Sequence, residues 1–211
     1  MSDIEVMSVM KTFSSVFEQN LLWYNGKDMI MIGSRIKYVL DIEKIHERLI
    51  RPIIQKSLKK YSSYKGYNVL RNFLSGLLLT TDSFRKVAED GVIYTDDGTK
   101  LKFSNGPGTN PAIVARIHSN LSAWADILMD SIGVQDLERS IDSLTRRREY
   151  LMVPLYSGSD YHDRFFDYIR NYSLHKTEEL NTLYRLLLDN KMFEKAGHVK
   201  SYMDRVMENA G

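Results

Sequence analysis

Ile4, Met7, Met10, Phe13, Phe17, Leu21 and Tyr24 recur close to the helical period, which predicts an amphipathic helix over residues 4–24, ended by Asn25-Gly26. A second helix is predicted from Ser34 to about Tyr61 along Ile36, Val39, Leu40, Ile42, Ile45, Leu49 and Ile53, with Pro52 as a kink or a break. Between Asn68 and Thr80, the positions Val69, Leu70, Phe73, Leu74, Leu77 and Leu78 cover most of a helical circumference, the pattern of a helix buried all round. A short helix over 82–89 follows, stopped by Asp90-Gly91.

The middle of the chain changes period. Val92-Ile93-Tyr94-Thr95 and Thr99-Lys100-Leu101-Lys102-Phe103 flank Asp96-Asp97-Gly98, so a β-hairpin is predicted at about 92–103, prolonged by a loop to residue 110. Asn110-Pro111 then reads as an N-cap with proline at the first helical position, opening a helix to about Ser131. Gly133 separates it from a helix over 135–150, and Pro154 with Ser157-Gly158-Ser159 marks a loop. From Asp160 onward the pattern is helical, with breaks near Thr177 and Gly197. These elements predict a mainly α protein: one helical domain over 1–211, a helical bundle with one β-hairpin insertion.

Composition narrows the chemistry. The 211 residues are 43% hydrophobic, enough to bury a core, and contain no cysteine. Disulfide scaffolds, cysteine-ligated metals and thiol nucleophiles are thereby excluded. A formal net charge of +2 offers no wholesale attraction to nucleic acid or to anionic membranes, so phosphate binding has to come from local patches. The most apolar stretch, 73–81, is far shorter than the roughly 20 residues of a membrane span. The opening Met1-Ser2-Asp3-Ile4-Glu5 is acidic where a signal peptide is basic, which predicts a cytoplasmic protein with no membrane association.

The most informative stretch runs from Tyr161 to His175 and ends in Arg170-Asn171-Tyr172-Ser173-Leu174-His175. This segment resembles the R-x4-6-H signature of the HEPN (higher eukaryote and prokaryote nucleotide-binding) family, with polar Asn171 after the arginine and Phe165, Phe166 and Ile169 as the apolar side of the helix. The resemblance covers about fifteen residues and the helical class. It implies an endoribonuclease with Arg170, Asn171 and His175 in its site, acting as a homodimer that brings two motifs together. It also implies a defence or toxin component held in check by a protein regulator.

The residues suit that chemistry by themselves. Cleavage of RNA by attack of its own 2'-hydroxyl needs a proton acceptor, a donor and a positive charge near the phosphate, with no metal or cofactor. His175 would move the proton, and the Arg170 fork would stabilise the phosphate oxygens. Asp167, Asn171 and His175 recur at i, i+4 and i+8, a stripe able to orient the imidazole. The competing reading makes Arg170 and His175 solvated residues near a helix C-terminus, where the dipole favours cations.

Two further patches carry charge. Lys56, Lys59, Lys60, Tyr61, Tyr64, Lys65 and Tyr67 interleave cations with rings, which suits single-stranded nucleic acid, or else form a solvated helix end. Arg146-Arg147-Arg148 reads as a second phosphate contact or as a solvated face. No metal-ligand set is visible. His46-Glu47 lacks a second histidine, Asp126 and Asp130 lack a third ligand, Asp96-Asp97-Gly98 reads as a turn, and His118, His162 and His198 have no partner pattern. Gly106-Pro107-Gly108 lacks the lysine of a phosphate loop. The sequence thus predicts a metal-independent endoribonuclease acting on RNA. Its alternative is a non-enzymatic helical module that binds protein or nucleic acid through residues 92–110.

Overall fold

The structure, a computed structural model, describes residues 2–25, 28–37, 39–58, 69–95, 111–129, 131–132, 141–156, 161, 163–165, 167 and 176–208. Among them the chain is mainly α-helical with a small antiparallel sheet. It divides into two compact units, one of Met1–Tyr24, Asp28–Ile42 and Gly76–Ile141, the other of Asn25–Lys27, Glu43–Ser75 and Asp142–Gly211.

The first unit starts with α1 (Asp3–Val16), fixed by a capping box. Ser2 Oγ accepts from the Glu5 N–H at 3.4 Å, and the Glu5 carboxylate accepts from the Ser2 N–H at 2.6 Å. The bond from the Ser2 backbone, then the one with its hydroxyl, holds the Glu5 carboxyl below its ordinary pKa. Eight residues before the predicted end, the helix stops: Phe17 is extended, and β1 (Gln19–Tyr24) begins. It pairs antiparallel with β2 (Met29–Ser34), Gln19 opposite Ser34 and Tyr24 opposite Met29, so the stretch around Asn25 joins a hairpin instead of ending a helix. β1 is the central strand, and Asn20, Leu21, Leu22 and Tyr24 are buried. A strand covered on both faces loses the polar alternation that marks strands, and its apolar positions then fit a helical period as well.

The same effect hides the third strand. The predicted helix over 68–80 is two elements, α4 (Val69–Ser75) and β4 (Leu77–Leu79), whose three leucines are all buried. β4 pairs antiparallel with the other edge of β1, Leu79 opposite Leu22 and Leu77 opposite Trp23, giving the order β2-β1-β4. Gly76 makes the switch possible: its carbonyl accepts from the Tyr24 N–H at 2.8 Å, and a Cβ there would stand 2.3 Å from the Tyr24 oxygen. The helix predicted from Ser34 is likewise divided. Residues up to Ser34 belong to β2, β3 (Leu40–Asp41) follows, and helix resumes only as α2 (Ile42–Leu49) and α3 (Pro52–Leu58), parted before Pro52.

α5 (Thr81–Ala88) packs on α1 close to where it is predicted, with Phe84 fully buried 6.1 Å from the Phe13 ring. Each such ring or leucine removed from water contributes about 1.5–3 kcal/mol. Polar ties fix the arrangement. Lys11 Nζ donates to the Glu89 carbonyl at 2.6 Å, and Arg116 of α6 (Pro111–Ser119) pairs with Asp90 at 2.6 Å and Glu89 at 3.2 Å. The helix predicted to reach Ser131 ends at Ser119. Ser122 then accepts from the Thr80 N–H at 2.7 Å and donates its own N–H to the Leu78 carbonyl at 3.0 Å, which ties the break to the sheet. α7 (Trp124–Met129) and β5 (Ser131–Ile132) follow, β5 pairing parallel with β3.

Residues 92–95, the first limb of the hairpin predicted at 92–103, carry no strand, and residues 96–110 lie outside the described residues. The N–H groups of Val92 and Tyr94 donate to Ser8 Oγ at 2.9 Å and Thr12 Oγ1 at 2.8 Å, so hydroxyls of α1 take the place of a strand partner. Among the described residues, the hairpin is β1–β2.

In the second unit, α8 (Ile141–Met152) leads into a 3-10 turn (Val153–Leu155), residues 161, 163–165 and 167 are helical, and α9 (Lys176–Asp189) packs on α10 (Phe193–Glu208). The break falls at 190–192, and Gly197, where one was predicted, lies inside α10 with open space around it. A Schellman turn ends α9: Met192 N–H donates to the Leu187 carbonyl at 2.9 Å, Lys191 N–H to Leu188 at 2.9 Å, and Lys191 sits at φ 58°. The break is therefore set by this hydrogen-bonded cap and by the packing of the flanking helices, which a lone exposed glycine does not override.

Two substitutions test these backbone arguments. Gly91→Ala would place a Cβ 2.4 Å from the Met7 carbonyl carbon and oxygen; a loss of about 1–3 kcal/mol is expected from that overpacking, read as a lower urea midpoint at unchanged slope, and an unshifted midpoint would refute the close approach. Lys191→Gly removes a left-handed strain of about 1–2 kcal/mol, partly offset by glycine's larger unfolded entropy, so the melting temperature should rise; a fall would contradict the cap.

Candidate functional site

Arg170, Asn171 and His175 lie outside the described residues, as do Lys59, Lys60, Tyr61, Tyr64, Lys65 and Tyr67. Lys56 is described and stands exposed in the last turn of α3. The structure does describe much of the segment that leads into the motif. Tyr161 and Phe165, one helical turn apart, are 1% and 2% exposed, whereas Asp163 and Arg164 face solvent and Asp167 is half-buried. The apolar side read for Phe165 is therefore an inward side, and polar residues of the same segment stay outside.

What holds that segment is a knot around Lys195 of α10. Its Nζ donates to the Pro154 carbonyl at 2.9 Å and to the Tyr156 carbonyl, and stands 5.0 Å from the centre of the Tyr161 ring. Tyr161 in turn donates its hydroxyl to the Lys195 carbonyl at 3.3 Å. The amine thus caps the 3-10 turn, and its third direction faces an aromatic ring. Burial holds the Lys195 pKa below the ordinary lysine value, with the adjacent Glu194 acting against the shift. Burial also raises the Tyr161 phenol.

Rings extend the knot along α10. Tyr161 stacks on Phe165 at 6.0 Å and on His198 at 6.4 Å, while Phe165 meets Tyr202 edge-on at 5.8 Å. Arg164 lies 5.4 Å over the Tyr156 ring. Lys195, His198 and Tyr202 recur at i, i+3 and i+7, so one face of α10 supplies the seat. His198, with no assigned partner in the sequence, belongs to this seat.

The arginine run is corrected by α8. Leu144, Arg147, Arg148, Leu151 and Met152 recur at i, i+3, i+4, i+7 and i+8 and are all buried, the arginines 7% and 5% exposed. These two are neither a solvated face nor an open phosphate clamp; only Arg146 is half-exposed. Burial draws the Arg148 pKa down to about 10, Glu149 opposing, which leaves the guanidinium charged at neutral pH. The spacing of Leu144, Leu151 and Met152 was the signal that placed them inside. No comparable local signal marks Lys195, whose partners come from two other segments.

Among the described residues no group of three or more histidine, aspartate and glutamate side chains gathers to hold a metal ion. No helix among them is long and apolar enough to cross a membrane. No protein-family model, curated protein or solved structure matches the chain.

Lys195→Met keeps the length of the side chain and removes its donors. A loss of about 1–3 kcal/mol is expected, the value of charged hydrogen bonds at a half-buried site, measured by urea unfolding. Unchanged stability would show that water serves the two carbonyls equally well.

Proposed function

We propose that this chain is a metal-independent endoribonuclease of HEPN type that works as a cytoplasmic homodimer, with Arg170, Asn171 and His175 in its site. The observation that carries the reading is the Arg170-Asn171-x-x-x-His175 pattern, continuous in sequence with a helical segment whose Tyr161 and Phe165 are buried and whose Asp163 and Arg164 are exposed. A segment seated on its apolar side leaves its polar side for chemistry.

His175 takes the proton of an RNA 2'-hydroxyl, and that oxygen attacks the adjacent phosphorus. The bond from phosphorus to the 5'-oxygen breaks, and the leaving oxygen receives a proton from an imidazolium, supplied by the second His175 of the dimer. The products are a 2',3'-cyclic phosphate and a 5'-hydroxyl. Arg170 stabilises the charge that builds on the phosphate oxygens, and Asn171 supports the imidazole. Lys56, Lys59, Lys60, Tyr61, Tyr64, Lys65 and Tyr67 contact the RNA strand. A protein regulator restrains the activity in a defence or toxin setting. The non-enzymatic alternative draws on Val92 and Ile93, 59% and 52% exposed, as a contact surface.

Purified protein should cleave single-stranded RNA in EDTA and leave cyclic or 3'-phosphate ends, identified by mass spectrometry. His175→Ala and Arg170→Ala should each lower the rate about a hundredfold or more at unchanged melting temperature. Phe165→Ala, at a buried ring, should instead cost about 3–5 kcal/mol. Products with 5'-phosphate ends, or a His175→Ala variant as unstable as Phe165→Ala, would refute the site; uncut RNA would favour the binding module.

A further inference from the structure

The α3 helix carries an unusual surface. None of its seven residues is buried, and two large apolar side chains stand exposed beside Lys56 and Ser57: Ile53 is 73% exposed and Ile54 38%, with Ile50, just before the helix, at 54%. The helical turn already begins at Arg51, whose carbonyl accepts from the Gln55 N–H at 2.9 Å. Residues three and four apart share a helix face, which puts Ile53, Ile54 and Ser57 on one side of α3, while Ile50, whose N–H donates to the His46 carbonyl at 3.0 Å, ends α2. Arg51 and Lys56 then fall about 110° to either side of that face. From Arg48 to Leu58 the sequence has three cations and no carboxylate, and Glu43 and Glu47 lie further back on α2. An exposed ridge of isoleucines is thus flanked by positive charge on both sides.

Four kinds of occupant differ in what they ask of such a ridge. RNA would use the cations but has no use for isoleucines, which present no π-face for a base. A second copy of the chain would set Arg51 and Lys56 against their own like charges, which is destabilising across any close contact. A partner helix docks by laying its apolar face in a groove, and α3, with no residue buried, is a projection. An anionic bilayer surface uses both features: the apolar side chains enter the boundary between headgroups and acyl chains, and the cations meet lipid phosphates.

We propose that Ile53 and Ile54 of α3, with the neighbouring Ile50 and with Arg48, Arg51 and Lys56, dock the protein peripherally on anionic lipid. The surface lies on residues independent of Arg170 and His175, and Lys56 alone is shared with the RNA contacts above. It departs from the expectation of no membrane association, because the lack of a spanning helix among the described residues does not extend to surface docking.

The cysteine-free chain allows a single probe. Full-length Ile53→Cys carrying an environment-sensitive fluorophore is mixed with phosphatidylcholine vesicles, with or without phosphatidylglycerol. The expected result is a blue shift and co-sedimentation with the anionic vesicles alone, both lost at high salt. Ile53→Ser with Ile54→Ser, and separately Arg51→Gln with Lys56→Gln, should each lower partitioning about tenfold or more while the circular dichroism stays helical. The label reads insertion at one exposed position, so it decides the matter even if a double variant misfolds. Absence of binding to anionic vesicles, or a label that stays in water while the protein sediments, would overturn the proposal. A blue shift caused without lipid by raising the protein concentration would overturn it in favour of a second copy; one caused by polyuridine would overturn it in favour of RNA. None of these readouts depends on RNA cleavage.

Discussion

Burial of β1 on both faces is the constraint on which the first unit depends. Its residues Leu21, Leu22 and Tyr24 leave water completely enough that the strand needs a neighbour on each edge and cover on each side. β2 supplies one edge directly, through a hairpin. The other edge is filled by Leu77–Leu79, more than fifty residues on, which is why α4 has to stop at Ser75 and why a glycine follows it. The rings of Phe13, Phe17 and Phe84 then close over the sheet, and Gly33 has its α-carbon beneath the first two. Small residues are required wherever backbones meet: Gly76 against Tyr24, Gly91 against Met7.

The second unit is governed by a different requirement, that polar groups carried inside must be satisfied there. Lys195 meets it for the carbonyls of Pro154 and Tyr156, and doing so ties the stretch from Pro154 to Tyr161 to α10, far along the chain. Because Tyr161 returns a hydrogen bond to Lys195, the entry into the motif-bearing segment is fixed at its first residue. Phe165 fixes it again one turn later by its contact with Tyr202. Arg147 and Arg148 are also carried inside, on an inner stripe with Leu144, Leu151 and Met152.

This arrangement separates scaffold from chemistry. The residues that pack are rings and leucines, whereas Asp163 and Arg164 of the same segment stay exposed. α3 shows the converse, with Ile53 and Ile54 left exposed and no residue of the helix buried.

How much of this was legible in the sequence follows from what local pattern can encode. The helical start of the chain, the position of α5 and the mainly helical class were readable, because a 3.6-residue period is a property of neighbouring residues. The inward side of Phe165 was readable for the same reason. The identities of β1 and β4 were not: a strand buried on both faces shows a continuous apolar run that a buried helix shows equally, and only pairing between residues 19–24, 29–34 and 77–79 decides between them. Val92-Ile93-Tyr94-Thr95 alternates as a strand would, yet its partners are the hydroxyls of Ser8 and Thr12, more than eighty residues away. The sequence determined by itself that the chain carries the Arg170-Asn171-x-x-x-His175 pattern and has no cysteine. The tertiary structure alone decided that Arg147 and Arg148 turn inward and that Lys195 seats the segment leading to the motif, because burial and hydrogen-bond satisfaction are settled between distant segments, not within one.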